Sequence, residues 1–226
     1  ALPILEGRYM DRKSIAQEYY TLTVDENGNM PPMHKEESYA GLVAAGFMDF
    51  LLKNVITAKK NKISVIKENP GELVHLASLY AYLNEKPRSI DKLMSDYYTG
   101  SRIKQLTAQI GESLEEEGKA AKGTGGLFGP KTTYIPEKNY KDELIGTIKS
   151  AITTGGEITS HDIALIYILK ETKNLNQYFS KHESSELKAK LKEMKNNPQN
   201  KQLSDMINYV SDTITVIMAC VLLYSM

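Results

Sequence analysis

Between Tyr39 and Leu51 the apolar positions fall three and four residues apart, at Tyr39, Leu42, Val43, Gly46, Phe47, Phe50 and Leu51. That spacing gathers them on one face of an α-helix, and a helix with such a face has to lay it on a core. The same demand recurs along the chain. Leu73, Leu76, Ala77, Tyr80 and Leu83 repeat it, then Ile90, Leu93, Met94 and Tyr97, then Ile103, Leu106, Ile110 and Leu114. Tyr140, Leu144, Ile145, Ile148 and Ile152 follow, and Ile163, Ile166, Tyr167 and Leu169 after them. Ser14, Ser89 and either Thr159 or Ser160 supply N-caps, the first for a short helix ending near Tyr20, and Gly100 is placed to close the helix through Tyr97. Asn27-Gly28 predicts a tight turn, and the Pro31-Pro32 pair beyond it predicts a stiff connection.

Two stretches break the helical period. Residues 55–58 and 63–66 are rich in β-branched side chains and flank a polar turn, and the glycine-rich segment 122–130 lies between two further β-like pieces. Both read as hairpins. The expected fold is mainly α: a single compact multi-helix domain over residues 14–226 carrying one or two short β-hairpins, after an N-terminal extension at 1–13. The longest apolar run, 214–226, is shorter than the ~20 residues needed to cross a bilayer and predicts a buried helix.

Composition narrows the function. Lys and Arg balance Asp and Glu at 28 each, so no overall field draws the chain to nucleic acid or to an anionic membrane, and an electrostatic partner must meet a local patch. Nucleic-acid binding is not expected. Cys220 is the single cysteine, which rules out an internal disulfide framework and fits a reducing compartment; its apolar surroundings predict a core thiol. The opening residues lack the basic start and apolar centre of a signal peptide, so a cytoplasmic location is expected.

No catalytic constellation assembles. The segment 123–129 fails as a phosphate loop because Pro130 and a β-like stretch follow it where a helix is required. His34, His75, His161 and His182 are dispersed, without the i, i+4 spacing of a helical metal site, and no Gly-x-Ser-x-Gly elbow occurs. The acidic run 115–117 splays around its helix instead of converging, which predicts solvated acids. The expectation is a binding protein with no catalytic residues, no metal and no cofactor. Leu127-Phe128 stands out, because two adjacent bulky apolar residues among glycines either pack on a neighbouring helix or meet an external apolar phase.

The order of these segments resembles the Golgi phosphoprotein 3 family. Gly41-Leu42-Val43-Ala44, in the run from Tyr39 to Ile56, looks like the family's Gly-Leu-x-Gly/Ala helix, which passes into a short strand-like element. Leu114-Glu-Glu-Glu-Gly118, Leu127-Phe128, Thr132-Thr-Tyr-Ile-Pro136 and Ile163-Ala-Leu-Ile-Tyr167 resemble its hairpin and the helices around it. The resemblance implies a compact helical peripheral membrane adaptor that binds phosphatidylinositol 4-phosphate and presses an apolar hairpin into the membrane, on the cytosolic face of the Golgi in a eukaryotic cell. It assigns the headgroup to positions occupied here by His34, Val43, Lys104 and Thr107, of which Lys104 keeps the family's charge, and the membrane hairpin to Leu127 and Phe128. The implied partners are an anionic phospholipid or membrane surface and a protein client. A protein-only helical interaction module is the alternative, with an enzyme of unrecognised site third.

Overall fold

The Ser14 hydroxyl accepts from the Gln17 backbone N–H at 3.1 Å while the Gln17 side chain accepts from the Ser14 N–H at 3.1 Å. This reciprocal cap starts α1 (Ile15–Thr23) in the computed structural model, which describes residues 12–59, 62–97, 100–125, 131–153, 158–196 and 201–224. The helix runs one turn beyond the expected end at Tyr20. Every residue in it is buried, including Gln17, Glu18, Thr21 and Thr23, so it has no solvent face for a periodicity to reveal.

Helix α2 (Lys35–Leu52) packs against α1, and Gly41 leaves room for the Tyr19 hydroxyl, which would stand 2.2 Å from a Cβ there. Leu42, Phe47 and Phe50 are wholly buried, and burial of side chains of this size contributes about 1.5–3 kcal/mol each. Behind α2 the chain forms the expected hairpin, β1 (Ile56–Lys59) antiparallel to β2 (Lys62–Val65). A third strand, β3 (Arg88–Ser89), pairs with β2 through Ile63 and Lys62. The stretch 73–83 is not one helix: a 3-10 segment at Gly71–Leu76 turns at Leu73 (φ −113°, ψ 22°) before α3 (Ala77–Asn84).

Ser89 caps α4 (Ile90–Tyr97) by accepting from the Lys92 N–H at 3.1 Å. Gly100, expected to close α4, instead stands at φ 94° as the N-cap residue of α5 (Ser101–Glu116). Strands β4 (Ala120–Gly125) and β5 (Lys131–Pro136) form the second hairpin. Helix α6 (Lys138–Thr153) leads to α7 (Ser160–Glu171), which a Thr159–Asp162 capping box begins. A short 3-10 turn at Asn174–Gln177 and α8 (Lys181–Lys195) follow.

The carboxyl-terminal apolar run belongs to α9 (Lys201–Tyr224), a helix more one-sided than the uninterrupted run suggests. Ile207, Val210, Ile214 and Ile217 are fully buried at three- and four-residue spacing, whereas Val216 is 47% exposed. The stripe lies on α4 and α7, and there the Cys220 thiol donates to Asp91 at 3.1 Å in a buried site. The whole is mainly helical, one compact domain with two small antiparallel sheets.

Candidate functional site

Helix α5 positions the second hairpin. Ile103, Leu106, Ile110 and Leu114 hold one face of it in the core. At its end the Lys119 N–H donates to the Leu114 carbonyl at 2.7 Å, and β4 starts from there. Farther along, Tyr134 of β5, opposite Lys122 of β4, lays its ring on Gly111 so tightly that a Cβ there would stand 2.3 Å from a ring carbon. The Tyr134 hydroxyl donates to Glu112 at 3.0 Å. The described strands therefore run back along α5 toward its amino end.

Lys104, Thr107 and Gly111 are spaced i, i+3 and i+7, so they share the flank of α5 on which this hairpin rests. Lys104 is exposed and takes part in no ion pair among the described residues. Thr107 is half-buried, and its hydroxyl donates back to the Ile103 carbonyl at 2.6 Å, leaving the oxygen lone pairs outward of that bond. The hairpin's other side meets the turn at residues 25–29: Gly28, at φ 73°, abuts the Tyr134 backbone, where a Cβ would come within 2.6 Å of the carbonyl oxygen. Tyr20 also donates to that carbonyl, at 2.9 Å.

His34 ends the 3-10 turn Pro32–His34 six residues beyond Gly28. It is half-buried, with Nδ1 4.0 Å from Glu37, which also takes Lys173 Nζ at 3.2 Å. Lys104 and Thr107 thus share one flank, while His34 sits on a separate loop that reaches the same hairpin through Gly28. Val43 is 1% exposed within the core and presents nothing to a ligand. Leu127 and Phe128 lie outside the described residues.

A second polar region was not foreseen. A cleft of about 480 Å³ opens where the amino ends of α1 and α7 meet the carboxyl ends of α2 and α5. Arg12, on its rim, donates through Nε and Nη2 to both oxygens of Glu18 at 2.7 Å and through Nη1 to Asp162 at 2.8 Å. Glu18 and Asp162 are buried, and His161 Nε2 lies 2.8 Å from the second Glu18 oxygen. Burial alone would raise the Glu18 carboxyl; His161 and then Arg12 outweigh it and hold the group below the usual glutamate range.

Asp49 forms the floor, accepting from the Ile15 and Ala16 N–H groups at 2.8 and 2.9 Å, while its complete burial pushes its carboxyl up to about 7. The Ser14 hydroxyl, which already accepts from Gln17, meets His75 Nε2 at 2.8 Å. Burial pushes His75 down to about 4, so the ring is neutral at pH 7. Lys13 pairs with Glu117 at 2.9 Å and Lys53 with Glu72 at 2.9 Å. Of the acidic run expected to be solvated, Glu117 is therefore engaged here, accepting from Gln17 Nε2 at 2.8 Å as well.

These groups hold helix ends together. Asp49 and Ser14 serve the first turn of α1, and Arg12 ties that helix to α7 across 150 residues of sequence. The cleft is also remote from the amino end of α5, where Lys104 stands. Lys104 lies thirteen residues from Glu117, about 20 Å along α5 at 1.5 Å per residue. The legible signals were the two capping boxes and Glu18 within an otherwise uncharged helix; the pairing of Arg12 with Asp162 has no local signature.

Among the described residues no group of three His, Cys, Asp or Glu side chains is placed to hold a metal ion, and no helix is long and apolar enough to cross a membrane. A search of curated proteins finds no match to the chain. The family model of Golgi phosphoprotein 3 (GPP34) matches residues 15–210, from the first residue of α1 into the middle of α9. With that match over most of its length and a mainly helical fold around two small sheets, the chain belongs to the Golgi phosphoprotein 3 family.

Proposed function

We propose that this protein is a cytoplasmic adaptor that docks on an anionic membrane surface, pressing the loop of the β4–β5 hairpin into the bilayer while Lys104, with Thr107 and His34, contacts a phospholipid headgroup beside it. The lipid that the family resemblance implies is phosphatidylinositol 4-phosphate. The observation that carries the reading is the common flank of α5: Lys104 and Thr107 continue the stripe of Gly111, on which Tyr134 seats the hairpin. Placing Leu127 and Phe128 in an apolar phase contributes about 3–6 kcal/mol before ordering costs. A lysine near an anionic surface adds about 1 kcal/mol. Insertion dominates on these magnitudes, and charge selects the lipid.

The test is co-sedimentation with vesicles of phosphatidylcholine containing phosphatidylinositol 4-phosphate or phosphatidylserine. The double variant Leu127→Ser/Phe128→Ser is expected to lose binding with little change in melting temperature, and Lys104→Ala to weaken it several-fold in a salt-sensitive manner. A double variant that melts much earlier assigns the pair to core packing. A parent chain that ignores every anionic vesicle favours the protein-only interaction module.

A further inference from the structure

The loop between α1 and α2 carries the most exposed large hydrophobic side chain among the described residues. Met33 is 85% exposed, whereas Met30, three residues earlier, is 6% exposed and packed in the core. The difference is built into the backbone. Met30 anchors the loop, Pro31 and Pro32 fix its direction, and the His34 N–H closes the 3-10 turn on the Pro31 carbonyl at 3.2 Å. Met33 is thereby held out on a stiff support instead of folding back to cover itself, and a methionine so presented suits a fluid apolar environment that has no fixed shape to match.

Its position matters more than its exposure. Gly28 lies against the Tyr134 backbone of the hairpin, and five residues of chain reach at most about 18 Å, so Met33 is within that distance of the contact. Its neighbours are polar and of mixed sign. His34 and Lys35 adjoin it, Glu36 is exposed, and Glu37 is engaged by Lys173. The tip stands beside an imidazole and an exposed lysine, with the exposed Glu36 next along the chain, and Lys35 is placed to meet an anionic bilayer surface.

We propose that Met33 is a second point of membrane insertion, seated in the bilayer beside the β4–β5 hairpin, so that the protein docks on two apolar contacts flanking the headgroup position. The proposal rests on the membrane-docking reading above and adds to it a residue outside the hairpin.

The chain contains no tryptophan, so Met33→Trp introduces a single indole reporter. With phosphatidylcholine vesicles containing phosphatidylserine or phosphatidylinositol 4-phosphate, its emission is expected to shift to the blue and to be quenched by brominated acyl chains. Met33→Asp is expected to bind about tenfold more weakly, corresponding to partial burial of the thioether side chain, at an unchanged melting temperature. If Met33→Trp co-sediments with vesicles but neither shifts nor is quenched, or if Met33→Asp binds as the parent does, Met33 does not insert while the hairpin reading stands. If the parent chain binds none of these vesicles, the docking reading fails and this one with it.

Discussion

Replacing Arg12 with Met removes a guanidinium that makes charge-assisted bonds to both Glu18 oxygens at 2.7 Å and to Asp162 at 2.8 Å. Both acids are inaccessible, Glu18 at 1% and Asp162 at 0% exposure, so the loss leaves two buried carboxylates without their cation. Breaking a buried pair from one side costs roughly 3–5 kcal/mol. Here the lower figure applies, because Glu18 keeps His161 at 2.8 Å and Asp162 keeps the Thr159 N–H and hydroxyl at 3.0 and 2.6 Å. A loss of about 3 kcal/mol lowers the melting temperature by roughly 6–12 °C in a chain of this size. In urea, with a slope near 3 kcal/mol/M, the midpoint falls by about 1 M. The variant Arg12→Met/Glu18→Gln, lacking one of the stranded charges, is expected to recover part of that loss. A single variant within 2 °C of the parent would show that Arg12 does not hold α1 to α7.

Gly111→Ala places a methyl group inside the Tyr134 ring and is expected to cost about 1–3 kcal/mol, read as a lower urea midpoint, while lifting the hairpin from α5 and weakening vesicle binding. His75 gives the chain a pH dependence. Its folded pKa of about 4 lies below the ordinary 6.5, so as pH falls through that window the unfolded chain takes up a proton that the folded chain refuses. Stability from this group is full above pH 6.5 and declines toward pH 4 at up to about 1.4 kcal/mol per pH unit, and His75→Gln should flatten that slope in urea titrations at successive pH values.

Spacing of three and four residues made α2, α5 and α7 legible in the sequence; α5 keeps one wet face, whereas α2 and α7 are buried almost all round, and of the three α7 alone begins at an expected cap, Thr159. Helix α1 was under-read because every one of its residues is buried and its polar ones are satisfied internally, Thr21 by the Gln17 carbonyl at 2.9 Å for example. Strand β3 is two residues long and owes its existence to β2, twenty-odd positions earlier, so no local pattern marks it. The cleft escaped for the same reason: Arg12, Glu18, His161 and Asp162 meet through tertiary packing alone. Of the expected headgroup positions, Lys104 and Thr107 fall on one flank as helical spacing requires, and His34 is connected to them only through the turn at Gly28 and the hairpin. Met33 was passed over because a proline-flanked methionine reads as a connector until its neighbours show that it has nowhere to fold.

Tyr134 touches three separate parts of the chain: its carbonyl takes the Tyr20 hydroxyl, its backbone crowds Gly28, and its ring covers Gly111. The two glycine contacts differ in kind. Gly28 is bound by the peptide backbone, which every residue type at 134 retains, and by its own φ of 73°, so position 28 stays closed to most side chains whatever stands opposite. Gly111 is bound by the Tyr134 side chain, two ring carbons at 2.3 and 2.6 Å and the Cβ at 2.9 Å from where a Cβ of its own would stand. Substitution at 111 is therefore conditional on the genetic background: harmful beside Tyr134, and relieved of the ring contacts, with the tight approach to the Cβ left, once a small residue replaces it. The two sites form an epistatic pair in which the order of change matters: a side chain at 111 costs less after position 134 has lost its ring than before.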